Sequence, residues 1–236
     1  MAQARRISPA TPDSLHDVRF PGESPVYRTA RDVLLEEEIE LRRQVERVAA
    51  QRRALPLGGK VNDYQFNQGS DEPVSLSDLF GDKQTVITYN MMFGPQRPRP
   101  CPSCSALLDS LYGTARHVQQ HVGFVVIAKS PIERILAAAE ERGWKNLRFA
   151  SSFNTTFNRD YRGEDADGVE WPALNVFTRR DGTVRHFYAA EMLFTKPDPG
   201  QDFRHNGPID TLWNMLDFTP EGRGTDWRPQ LEYGQR

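Results

Sequence analysis

A mixed α/β sandwich, a central sheet with helices on both faces, is the fold class this 236-residue sequence predicts. Three observations carry that expectation. QTVITYNMMF (84–93) and GFVVIAKS (123–130) are continuously apolar and rich in β-branched and aromatic residues, as strands covered on both faces are. Each is followed by a helix-forming stretch, which makes parallel crossovers. WPALNVFTRRDGTVRHFYAAEM (171–192) then places two β-rich runs around Asp181-Gly182, the signal of an antiparallel hairpin.

In chain order, residues 1–24 are polar and punctuated by Pro9, Pro12 and Pro21, and read as a flexible arm. Residues 25–56 form a helical extension. Ala30, Val33, Leu34, Leu41, Val45 and Val48 recur at helical spacing from about Thr29 to Ala54, until Pro56 and Gly58-Gly59 stop the helix. The stripe fits either an amphipathic helix laid on its own domain or an arm that pairs with a second copy. The main domain is expected over 57–220. Ser75–Phe80 reads as one helical turn, 102–118 as a helix interrupted or bent near Gly113, and NLRFASS (146–152) as a short strand. In SPIERILAAAEERGW, Ser130 is expected as the N-cap and Pro131 as the first helical residue. The polar loops 153–170 and 194–208 are long enough to bind a ligand rather than merely connect. A last helix near IDTLWNMLDF precedes an irregular tail, 221–236.

Bulk properties exclude several function classes. The formal net charge of −2 argues against nucleic acid as a partner. No segment approaches the roughly 20 apolar residues of a membrane helix. The polar N-terminus lacks the apolar core of a signal peptide, so a cytoplasmic location is expected. In that compartment, a CxxC is more often catalytic or metal-binding than a structural disulfide.

The two cysteines of the chain fall in one string, RPRPCPSCSALLDS (97–110). Three readings are open for Cys101 and Cys104: a redox pair, half of a metal site, or two unreactive thiols. For redox chemistry, Cys101 ends a loop and Pro102 opens a helix, so free N–H groups and the positive helix end face the Cys101 sulfur. Arg97 and Arg99 would add positive charge. Cys104, one turn deeper on nearly the same face, would resolve the mixed disulfide that Cys101 forms. For metal, C101-x2-C104-x12-H117-x3-H121 matches the spacing of a Cys2His2 zinc site. A helix beginning directly after Cys104 would instead separate Cys104 from His117 by roughly 20 Å at ~1.5 Å per residue. Zinc binding through Cys101, Cys104 and the histidines is therefore the distant alternative, and no metal or cofactor is expected. His186, on the second hairpin strand, is a further candidate as a proton acceptor.

Taken together, ARDVLLEEEIELRRQVERVAAQRRALP, VSLSDLFGDKQTVITYNMMFGP, CPSCSALLDSLYG, FVVIAKSPIERI, WPALNVF and LWNMLDFTPEGRG occur in an order that resembles one family. It is the set of bacterial thioredoxin-like proteins catalogued as domain of unknown function 899. The resemblance implies a thioredoxin-like three-layer sandwich with an N-terminal helical extension, and no assigned reaction. It also implies that Pro172 occupies the position of the cis-proline that packs against the CxxC and helps bind substrate, with Trp171 before it. An ordinary trans-proline at a strand start is the plainer reading. Two departures stand out: no tryptophan precedes Cys101, and the peroxiredoxin pattern P-x3-T-x2-C is absent. The leading expectation is a thiol–disulfide oxidoreductase acting on a small-molecule or protein disulfide. The alternative is a non-catalytic scaffold that forms a homodimer through the N-terminal helix.

Overall fold

The structure is a computed structural model that describes residues 15–180, 182–196, 199, 209–224 and 226–233. The start of the arm, most of loop 194–208 and the end of the tail lie outside the described residues. The chain divides into two compact units, meeting at Leu55 and Pro56.

The first unit is built on α1 (Pro25–Arg53). It starts four residues earlier than the apolar stripe predicts, because Ser24 caps it by accepting from the Tyr27 N–H and Pro25 fits the first turn. Arg52 and Arg53 complement the dipole at its other end. Ion pairs Arg28–Asp32, Arg31–Glu38 and Arg47–Glu40 run along its surface.

The second unit carries the sheet. Its order is β5-β4-β3-β6-β7, with β3 (Thr85–Asn90), β4 (Gly123–Ala128) and β5 (Arg148–Ser151) parallel. β6 (Ala173–Arg180) runs antiparallel to β3, and β7 (Thr183–Ala189) antiparallel to β6. Every residue of β4 is buried, as its unbroken apolar run predicts. The β6–β7 turn passes through Gly182 at φ +70°, a backbone state that glycine enters without a Cβ clash.

One face of the sheet is covered by α3 (Pro102–Val118) and α4 (Ile132–Glu141), which bury Leu107, Leu108, Ile132 and Ile135 against Tyr89, Phe124 and Val126. The short α6 (Thr211–Leu216) packs against α3. The opposite face is closed by α2 (Leu76–Leu79), α5 (Phe157–Asp160) and the small β1 (Gln65–Phe66)/β2 (Val74–Ser75) pair. An aromatic cluster of Phe66, Phe157 and Phe177 fills that side. The result is the three-layer, thioredoxin-like sandwich with an N-terminal helix.

Two local expectations need correction. The N-cap of α4 is Pro131, not Ser130: Ser130 is buried, and its hydroxyl accepts from the Arg134 guanidinium at 3.1 Å. α3 is one continuous helix through Gly113, with no bend in its assignment.

Candidate active site

β3 delivers the chain to the site. After Asn90 the backbone stays pinned to the sheet by one bond, Met91 N–H to Ile127 C=O at 2.8 Å. The loop 91–100 then returns so that the Cys101 N–H donates to the Met92 carbonyl at 3.0 Å. Cys101 adopts an extended conformation (φ −60°, ψ 129°), Pro102 takes the first helical position, and α3 begins. Cys101 is half-buried at the rim and Cys104 is fully buried one turn below. Both are free thiols.

The two sulfurs have opposite acidities. The Cys101 thiol is pulled down to about 6, chiefly because the Cys104 thiol donates a hydrogen bond to its thiolate. Burial opposes this, while the N–H groups of Cys104 and Ser103 and the charge of Arg97 assist it. Cys104 is pushed well above the ordinary range, because its proton is held toward Cys101 and because it is buried. Tyr89, on the α3 side of β3, is 4% exposed, lines the same cavity as Cys104, and opposes the rise in the Cys104 pKa. Tyr89, Cys104 and Cys101 thus line one cavity and bear on one another's acidity.

The pair opens on a cavity of about 400 Å³ whose walls include Met92, Leu107, Trp171, Pro172 and Trp213. That volume lies in the range of small-molecule sites. Pro172 and Trp171 line the same cavity as the two cysteines. The cis geometry expected at Pro172 is absent: no cis peptide bond occurs among the described residues. Pro172 stands immediately before the first paired residue of β6, where a trans proline fits a strand start.

The two arginines part company. Arg97 pairs with Glu170 at 3.0 Å and lends its charge to Cys101. Arg99 is held by Glu141 at 2.7 Å and Glu232 at 2.8 Å, so its charge is spent on carboxylates rather than on the thiolate. His186 is also set apart. Its Nε2 bonds Asn175 Oδ1 at 2.9 Å, and its ring packs on Tyr161 and Phe177. It lines a separate cavity of about 580 Å³, which shares Trp171 with the cysteine cavity. Burial lowers its pKa, against the opposing charge of Glu191.

The zinc spacing does not become a zinc site. Cys104 and His117 lie on the same uninterrupted helix, about 20 Å apart along its axis at ~1.5 Å per residue. Among the described residues, no group of three or more metal-binding side chains is assembled.

Three residues of the cavity escape sequence reading: Tyr89, Glu170 and Asp210. Glu170 presents an unpartnered Oε1, and Asp210 an unpartnered Oδ1. A Cβ at Gly94 would meet Glu170 Oε1 at 2.9 Å, so glycine there is what lets the carboxylate sit against the loop. The only advance signal was positional. Tyr89 ends an inward-facing strand alternation, and Asp210 precedes the last helix in the manner of a cap.

The chain belongs to the bacterial family of unknown function DUF899, whose model matches residues 19–234. No curated protein matches it in sequence. Among solved structures it is similar to a peroxiredoxin-like protein from Aquifex aeolicus, at 16% identity and a TM-score of 0.38, covering 57% of this chain and 75% of that one. It is likewise similar to PrxQ from Xylella fastidiosa, at 12% identity and a TM-score of 0.44, covering 57% and 84% of the two chains. A thiol peroxidase from Chromobacterium violaceum matches at 15% identity with a TM-score of 0.39, covering 57% and 75%. These distant likenesses decide nothing about chemistry, which has to be argued from the site. Among the described residues, no helix is long and apolar enough to cross a membrane.

Proposed function

We propose that this member of the family is a thiol–disulfide oxidoreductase. The observation that carries the reading is the placement of two free thiols one helical turn apart, Cys101 half-buried at the mouth of a cavity and Cys104 sealed beneath it, and their opposed pKa shifts support it. At neutral pH Cys101 is the thiolate that attacks disulfides, and Cys104 holds its proton until needed.

The chemistry balances without a cofactor. Cys101 Sγ⁻ attacks RS–SR, forming Cys101–SR and releasing RS⁻, which takes a proton from solvent. Cys104 then loses its proton and attacks Cys101 Sγ. The second RS⁻ leaves, the substrate is reduced by two electrons, and the protein holds a Cys101–Cys104 disulfide. A dithiol donor restores the reduced pair by the reverse exchange. Pro172 and Trp171 form the wall against which the substrate's sulfur is positioned, and Arg97 supports the thiolate. The substrate is a small-molecule or protein disulfide, and the reducing cytoplasm is the setting that keeps the pair loaded. A second copy of the chain is the proposed partner of the apolar stripe on α1.

Alkylation of Cys101 as a function of pH tests the reading. The expected midpoint is near 6, with a disulfide that forms and reduces reversibly in the same preparation. Alkylation confined to alkaline pH or to unfolded protein would overturn it and leave a scaffold role for the fold.

A further inference from the structure

When Cys101 becomes a mixed disulfide, Cys104 loses the thiolate that held its proton, and that proton must leave before Cys104 can attack. The cavity offers few acceptors. Tyr89 lines the cavity beside Cys104, but burial raises its own pKa well above the usual tyrosine value, so it can pass a proton and not keep one. Glu170 leaves Oε1 unpartnered, but its other carboxylate oxygen is ion-paired with Arg97. Arg228, also on the cavity wall, is a cation and accepts none. His186 lies in the neighbouring cavity.

Asp210 is different. It reaches the same cavity from the turn before α6, is only 6% exposed, and leaves Oδ1 without a hydrogen-bond partner. A carboxylate oxygen buried without a donor is costly and is rarely left so without use. It lines this cavity together with Tyr89, Cys101 and Cys104. Burial raises its affinity for a proton, while the Leu212 and Trp213 N–H groups and Arg223 pull the other way.

We propose that Asp210 is the proton acceptor of the resolving step, taking the Cys104 proton by way of the Tyr89 hydroxyl and the water the cavity admits. In that step the Cys104 S–H bond breaks, the proton ends on the Asp210 carboxylate, and the Cys104–Cys101 bond forms as RS⁻ departs. The proton is returned to the leaving thiolate or to solvent. This assignment rests on the thiol–disulfide reading. It adds a residue from the far end of the chain to a reaction otherwise confined to one helical turn.

The test is single-turnover resolution of a preformed mixed disulfide between Cys101 and thionitrobenzoate, followed by release of the coloured thiol across pH 5–9. In Asp210→Asn, release at pH 7 is expected to slow by about 100-fold, the scale of a positioned general base. It should recover as rising pH ionises Cys104 directly, while the Cys101 alkylation midpoint stays near its wild-type value. Asp210→Glu should restore part of the neutral-pH rate. Tyr89→Phe, which keeps the ring in the core, should slow release in the same pH range and serves if Asp210→Asn does not fold. Wild-type release rates in Asp210→Asn, or a slowing that is uniform from pH 5 to 9, would overturn the assignment. Failure of the wild type to form the mixed disulfide at all would overturn the oxidoreductase reading instead, and this inference with it.

Discussion

The two cavities that share Trp171 make an instructive contrast. The larger, about 580 Å³, holds His186, Asn175 and Tyr161; the smaller, about 400 Å³, holds both cysteines, Tyr89 and Asp210. In the larger one the polar groups satisfy one another: His186 bonds Asn175, which bonds the Tyr161 carbonyl at 3.2 Å. In the smaller one they are left poised, with a thiolate at the rim and carboxylate oxygens unpartnered inside. Size does not distinguish a reactive site from a structural hollow. Unspent hydrogen-bonding capacity does.

That contrast can be broken most directly by Cys101→Ser, which should abolish disulfide exchange while leaving the larger cavity untouched. Retained exchange in that variant would move the chemistry elsewhere. Next in size is Cys104→Ala, which removes the largest cause of the low Cys101 pKa. Its alkylation midpoint should climb from about 6 toward the free thiol value of ~8.5, and an unchanged midpoint would credit the helix N–H groups instead.

The same shift has a consequence for stability. Cys101 has a folded pKa depressed below its unfolded value, so it stabilises the reduced protein fully above ~8.5 and loses that contribution as pH falls through about 6. Urea unfolding of wild type against Cys101→Ser should therefore diverge with rising pH across this window. Parallel curves would mean the thiolate is no more stable in the fold than in the unfolded chain. The smallest effect on chemistry is expected from His186→Ala. It should cost roughly 1–3 kcal/mol of stability through the lost Asn175 bond and ring packing, yet leave the alkylation midpoint in place. A displaced midpoint would join the two cavities into one site.

Much of this was legible in the sequence because it was local. The unbroken GFVVIA run announced a central strand, Ser75 capped the predicted turn, and Cys101-Pro102 marked the loop-to-helix junction that opens α3. What escaped depended on distance along the chain. Arg99 has the composition of a thiolate partner, but Glu232, 133 residues away, claims it. His186 lies on the predicted strand, yet its register against Phe177 turns it into the neighbouring cavity. Asp210 looks like a helix cap; its side chain lines the cysteine cavity as well.

The loop that carries Arg97 to the cysteines is held from outside. Arg134, on α4, donates to the carbonyls of Gly94, Pro95 and Arg97, and its guanidinium lies 4.7 Å from the centre of the Phe93 ring. One side chain thus bolts the approach to the thiolate onto a helix that contributes no reacting atom. A shift of α4 would carry the Arg97–Glu170 pair with it and retune the sulfur from a distance. The share of the Cys101 acidity that Arg97 supplies is in this sense set by how α4 holds the loop in front of α3.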